Sequence, residues 1–345
     1  MTLANGRRGP LSDWLVSSRT DGFAVVHDGS LVYERYLGSM RDSDVHLLQS
    51  AGKSLTAALV GVLADAGALE PRDPLTDYVP RLEGSAWEGC TIQHLLDMRA
   101  GVLTDDGLSE ESPDTWSDLG QQLCEAMGWS PRTRPEIPAT YMDYLAHLEP
   151  HGAHGRAFHY RSALTDMLGW VAEEAGGEGL ADLVERYVWR PLGTEEDAHV
   201  ILTRGGLALG SGGYSSSLRD FARFGQMWLD DGRVDGAQVL PREWVAETTS
   251  PSGELISAFA TAGEAGRSET PGECVSEPMY HNCVWTLDSG RPTYAFRGAF
   301  GQWAWIDEPA RLVIVKVASG ARYFGERTAL DDLRVFDAIR TALAG

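Results

Sequence analysis

SAGKSLTAALVGVLADAG, residues 50–67, is the stretch on which the reading of this chain turns. From Leu55 to Ala66 it is almost wholly Ala, Leu and Val. That composition predicts a strongly apolar helix from about Ser50 to Ala66, with Gly67 suited to its C-terminal cap. Ser50 and Lys53 stand at its start, three positions apart and so on one helical face. A serine hydroxyl is a poor nucleophile at neutral pH and needs a base beside it. A lysine, with an ordinary pKa near 10.4, becomes that base only when burial or a like charge pulls it down. The apolar helix that follows is consistent with burial. Free N–H groups and the positive end of the dipole at a helix start also favour an oxyanion there. The chemistry this pattern points to is acyl transfer, with Ser50 attacking and Lys53 preparing it.

Working outward, DGFAVVHDGSLVYERY (22–37) reads as two strands joined by an Asp-Gly turn. TIQHLLDM, from Thr91, reads as a short helix capped by its threonine. Residues 101–155 are acidic, proline-bearing and poor in periodic apolar positions, so an irregular pocket wall or lid is expected there. Helices resume at SALTDMLGWVAEEAGG (162–177) and GLADLVERYVWRPLG (179–193). The glycine-rich stretch 205–213 lacks the Gly-Lys-Ser/Thr ending of a phosphate loop and is expected to run past the active site. A helix from about Leu218 to Asp230 follows. Strands are expected at about 282–288, 293–297, 302–307 and 311–317, then a final helix from about Arg327 to Ala344. Strands at both ends and helices between them suggest one sheet assembled from both termini. The division expected is a sheet domain of residues 1–65 and 200–345, with a mainly helical domain, 66–199, inserted.

Composition narrows the functions. The 345 residues carry a net charge of −21, which disfavours nucleic acid and anionic membrane as partners. No apolar run approaches the roughly 20 residues of a membrane span, and the N-terminus lacks a signal-peptide core, so a soluble, cytoplasmic protein is expected. The four cysteines form no CxxC pair and are read as reduced and structural. His147, His151, His154 and His159 crowd one loop, without the carboxylate or helical spacing that metal coordination needs. No metal or cofactor is expected. Of the 29 basic residues only Lys53 and Lys316 are lysines.

Two further elements bear on the site. In FHYRSALTDMLGW (158–170), Tyr160 precedes a helix by two residues, where its hydroxyl can relay a proton between Ser50 and a leaving group. In FRGAFGQWAWID (296–307), Gly298 and Gly301 interrupt an aromatic strand. Glycine in a strand marks a bulge or a close approach, and the Ala299 amide just beyond could complete an oxyanion hole.

Together with IQHLLDMRAG (92–101), HGRAFHY (154–160), LGWVAEEAGG (168–177), VWRPLGTEEDA (188–198) and GGYSSSLRDFARFGQMWL (212–229), these elements resemble the serine β-lactamase/penicillin-recognising superfamily. The resemblance runs from about residue 22 to 340, and is nearest to the branch of class C β-lactamase-like esterases and 6-aminohexanoate-dimer hydrolase. It implies an α/β fold of the β-lactamase/transpeptidase type: an antiparallel sheet from both chain ends, flanked by helices, with the helical domain inserted. It also implies an acyl-enzyme on Ser50, Lys53 as base, Tyr160 as proton relay, and an oxyanion hole from the Ser50 and Ala299 amides. Trp116, Ser162, Arg297 and Gly298 are the expected substrate-pocket residues. Three departures shape the expected activity. Tyr160-Arg-Ser162 replaces the Tyr-x-Asn of class C β-lactamases. Phe296-Arg297-Gly298 replaces Lys-Thr-Gly, whose lysine helps hold a substrate carboxylate; Arg297 can substitute only if it faces the pocket. The loop GVLTDDGLSEESPDTW lacks the lid tyrosine of the dimer hydrolases, the next being Tyr141. These departures weaken the case for β-lactams, cell-wall peptides or nylon oligomers as substrates.

The function expected is a serine hydrolase cleaving an ester or amide of a small molecule. One alternative is a transacylase passing the same acyl group to an amine, which the acidic segment 104–118 could attract. The other is a non-catalytic binding protein on the same fold.

Overall fold

In a computed structural model, residues 9–104, 116–261, 275–321, 323 and 326–343 are described. A seven-stranded sheet draws on both ends of the chain. Its strands are β1 (Thr20–His27), β2 (Ser30–Tyr36), β3 (Met279–His281), β4 (Val284–Asp288), β5 (Thr293–Gly298), β6 (Gln302–Asp307) and β7 (Leu312–Ala318). The spatial order is β3-β4-β5-β6-β7-β1-β2, antiparallel throughout. β7 pairs with β1 from Thr20 opposite Ala318 to His27 opposite Leu312, so the N-terminal hairpin closes onto the C-terminal meander. The hairpin turn is Asp28-Gly29, with φ of 49° and 73°. Positive φ at both positions is the backbone that a two-residue turn needs to match the twist of its strands.

β7, LVIVKVA, is buried at every residue. A strand without polar alternation must be covered on both faces, and helices supply both covers. On one face lies α4 (Leu218–Leu229), whose Phe224 and Trp228 pack on Phe296 at 5.3 and 5.4 Å between ring centroids. On the other lie α1 (Leu11–Ser17) and α5 (Glu326–Leu343). Trp14 of α1 meets Phe23 at 5.7 Å, and Phe336 of α5 meets Trp303 at 5.8 Å. Lys316 is fully buried on β7 and donates to Asp332 of α5 at 2.8 Å, and Trp303 Nε1 donates to the same carboxylate.

The helical region is built around α2 (Lys53–Asp65) and α3 (Ser162–Gly176), which pack on each other. Every residue of α2 from Lys53 to Gly61 is buried. Two expectations need correction. Ser50 lies not on the α-helix but on a 3-10 turn, Gln49–Gly52, that leads into it. The stretch 101–155 is less irregular than its composition suggests: it holds the helices Asp118–Met127 and Tyr141–Ala146. The first is capped by the Ser117 side chain and closed by Gly128 at φ 93°. Among the described residues, no helix is long and apolar enough to cross a membrane.

Candidate active site

The 3-10 turn carrying Ser50 is wedged between other backbones. Gln49 is held at φ 53°, in the left-handed region that side chains usually avoid. A Cβ on Gly52 would lie 2.9 Å from the Tyr214 ring, and one on Gly298, at the end of β5, would lie 2.3 Å from the Leu48 carbonyl oxygen. Gly298 has an extended φ of −135°, so it is the close approach, not the conformation, that demands glycine. Ala299 follows at once, 1% exposed. β5 therefore ends directly against the turn that bears Ser50.

Lys53 is 1% exposed and Ser50 is 9% exposed. The Lys53 Nζ donates to Ser50 Oγ at 3.0 Å, to Ser162 Oγ at 2.9 Å and to the Ser211 carbonyl at 2.8 Å. Three acceptors match the three donors of an ammonium. A neutral amine would keep two N–H bonds, to Ser162 and Ser211, and turn its lone pair to Ser50. The Tyr160 ring centroid lies 5.0 Å from Lys53 Nζ, and the ring packs on Trp285 at 5.2 Å and Tyr280 at 5.7 Å. The structure thus gathers Ser50, Lys53, Tyr160 and Ser162, drawn from two separate helix entrances. Trp116 joins them as part of a largely apolar pocket beside Ser50, with Leu123, Met127, Trp129 and Tyr323. Trp116 meets Tyr323 edge-on at 5.0 Å.

Arg297 is placed elsewhere. Along β5 it alternates with Phe296 and so faces the sheet surface covered by α1 and α5. Its guanidinium carbon lies 4.4 Å over Trp303 and 5.4 Å over Trp285. Arg297 and Gly298 line a second cavity, with Arg19, Trp303 and Asp332, and Tyr323 borders both. The acidic residues of 105–115 lie outside the described residues.

Two participants were not singled out from sequence. Ser211, in the glycine-rich stretch, supplies the carbonyl to Lys53. Asp166 of α3 is fully buried behind it and accepts from the Ser211 N–H, the Ser211 hydroxyl and the Tyr141 hydroxyl, at 2.9, 2.9 and 2.8 Å. Burial pushes its carboxyl up to about 6, against the opposing pull of those donors and of Lys53. Asp97 is used structurally, accepting from Gln93 and the Asn282 amide and pairing with His281 at 2.7 Å. The loop histidines have local partners: His154 accepts from the Gly101 amide, and His147 meets the Asp143 carbonyl. Among the described residues, no group of three or more His, Cys, Asp or Glu is placed to hold a metal ion. Cys90, Cys124 and Cys283 are buried.

Known proteins place this architecture. The profile of the beta-lactamase family matches residues 17–338. A 6-aminohexanoate-dimer hydrolase from Paenarthrobacter ureafaciens is 33% identical over 309 residues, 90% of this chain and 75% of the relative. A solved Bacillus anthracis protein, proposed to be a 6-aminohexanoate-dimer hydrolase, superposes with a TM-score of 0.86 at 28% identity, covering 99% of this chain and 84% of that one. A family VIII carboxylesterase shares the fold, with a TM-score of 0.66 at 16% identity over 94% of this chain and 96% of that one. With the family profile matching nearly its whole length, the chain belongs to the beta-lactamase family and is a hydrolase of that fold.

Proposed function

We propose that this hydrolase works through an acyl-enzyme on Ser50 and cleaves an ester or amide bond of a small molecule. The observation that carries the reading is the 3.0 Å contact between Lys53 Nζ and Ser50 Oγ inside a nearly closed site. Neutral Lys53 takes the Ser50 proton as Oγ bonds to the acyl carbon. The bond from that carbon to the leaving oxygen or nitrogen then breaks, and Tyr160 passes a proton to the departing group. The amides of Ser50 and Ala299 hold the oxyanion. Water attacks the ester on Ser50 in the second half, releases the acid and restores the serine. Trp116, Leu123, Met127 and Trp129 suit an apolar portion of the substrate. Arg297 lies between tryptophan rings, which gives no support to recognition of a substrate carboxylate by that residue.

The test is incubation with p-nitrophenyl esters, with and without a panel of amines, followed by mass spectrometry of intact protein and products. A burst of p-nitrophenol, an acyl adduct mapped to Ser50 and a loss of at least about a thousand-fold in kcat/KM in Ser50→Ala are expected. Full activity in Ser50→Ala would reassign the nucleophile. Amide formation outpacing acid release would move the reading to a transacylase, and no turnover and no adduct would leave a binding protein.

A further inference from the structure

Lys53 is held by two fixed acceptors, and one of them is itself held by a group with no part in the chemistry described above. Asp166 accepts from both the N–H and the hydroxyl of Ser211, while the carbonyl of the same residue accepts from Lys53. A third donor, the Tyr141 hydroxyl, arrives from the helix Tyr141–Ala146. The carboxylate, the Ser211 peptide and the Lys53 ammonium form one continuous buried chain. We propose that Asp166 is a positioning residue for Lys53: it fixes the Ser211 carbonyl against the amine, and its charge sets the pH at which that amine becomes a base.

The inference rests on the acyl-enzyme reading of Ser50 and Lys53. Its physical basis is reciprocity. A carboxylate close to an ammonium in a low-dielectric interior stabilises the charged amine, just as Lys53 draws the Asp166 carboxyl downward. Among the described residues, the titratable groups that face this pair are Tyr141, Tyr160, Tyr214 and Cys283. Burial pushes the Cys283 thiol up to about 12 and the Tyr214 phenol well above its ordinary range. Both stay neutral where the enzyme works, and Asp166 is the carboxyl among the groups around Lys53. With Asp166 ionised, Lys53 keeps its proton to higher pH. With Asp166 neutral, Lys53 is released as a base at lower pH.

Asp166→Asn separates charge from shape. The amide oxygen accepts from the Ser211 N–H, and the amide nitrogen donates to the Ser211 and Tyr141 hydroxyls, which can turn to accept. The chain has only two lysines, so protein grown on 13Cε-lysine gives two signals, and Lys53→Arg identifies which belongs to Lys53. In Asp166→Asn the Lys53 signal should titrate about one pH unit lower than in the wild type. The rising limb of kcat/KM against pH should move with it. A purely structural role would lower activity without moving either midpoint. A folded Asp166→Asn protein with an unmoved Lys53 titration would overturn the inference. Should that variant not fold, the wild type decides: its Lys53 signal should carry a second inflection as Asp166 ionises, moved to higher pH in Tyr141→Phe. A single inflection from pH 4 upward in the wild type would be equally fatal. Ser50→Ala, assayed alongside, keeps the two readings apart. Retained turnover there overturns the acyl-enzyme, while the Lys53 titration still decides the coupling.

Discussion

At Gly298 the missing side chain is itself a structural element. An added Cβ would meet a backbone oxygen, that of Leu48, at 2.3 Å, and backbone cannot swing aside as a long side chain can. Gly298→Ala should therefore push the end of β5 away from the Ser50 turn, carrying the Ala299 amide with it. Overpacking of this kind costs about 1–3 kcal/mol. We expect a lowered melting temperature and at least a tenfold fall in kcat/KM on a p-nitrophenyl ester; unchanged activity would show that the Ala299 amide is not needed. The grouping of Ser50, Lys53 and Tyr160 is legible in the sequence because a local spacing brings a hydroxyl and an amine together, and because Tyr160 stands at a helix entrance. Asp166 and Ser211 were not, because their contact spans 45 residues and exists only once α3 packs behind the glycine-rich stretch. Arg297 shows the same limit from the other side: its residue type suits an anion, but its place on β5 sets its guanidinium over two tryptophan rings and in a different cavity from Ser50.

Among the helices, α2 sets two local preferences against each other at Gly61. Alanine inside a helix is favoured over glycine by about 1 kcal/mol. Here its Cβ would lie 2.6 Å from the ring of Trp244, a side chain only 6% exposed. Overpacking, at about 1–3 kcal/mol, outweighs the propensity gain. Gly61→Ala should lower the urea midpoint; a raised midpoint would mean that Trp244 moves aside freely. The other elements divide by how much of their signal is local. The Asp28-Gly29 hairpin and four of the five strands of the C-terminal meander appear close to their expected positions, because turn residues and apolar runs define them unaided; the short edge strand β3 does not carry such a run. The helix Asp118–Met127 was missed although Ser117 and Gly128 bracket it. Its acidic, proline-bearing surroundings hid a short amphipathic face that tertiary packing stabilises. The pairing of β1 with β7 joins segments nearly 300 residues apart, and it followed from the distribution of strands at both ends of the chain.

For the molecule as a whole, the charge balance sets the response to pH. Asp166 binds its proton more tightly folded, at about 6, than at its ordinary value of 3.8. The sign follows from linkage: its contribution is full below 3.8 and is lost as pH rises through 6, a total of about 3 kcal/mol, of which roughly half falls between pH 5 and 8. Asp332, also buried, is shifted the same way by desolvation. Glu34 and Glu195, held low chiefly by Arg219 and Arg223 respectively, are already ionised across that window. Self-repulsion from a net charge of −21 acts in the same direction. The imidazoles of His94, His154 and His159, held low by burial, act in the opposite direction over the same window, so the test is the difference between two proteins. Calorimetry from pH 5 to pH 8 should show the melting temperature of Asp166→Asn gaining on that of the wild type, with a partial recovery of both in moderate salt at pH 8. A change in melting temperature over this range that is the same in Asp166→Asn as in the wild type would contradict the assignment of Asp166 as a buried, proton-holding carboxyl. The burial of both lysines has a separate consequence. Lys53 is 1% exposed and Lys316 is 0% exposed, so an endoproteinase that cleaves only after lysine has no accessible site on the native chain. Cleavage into 1–53, 54–316 and 317–345 would require the chain to open first, and the appearance of those fragments would report global unfolding directly from a gel.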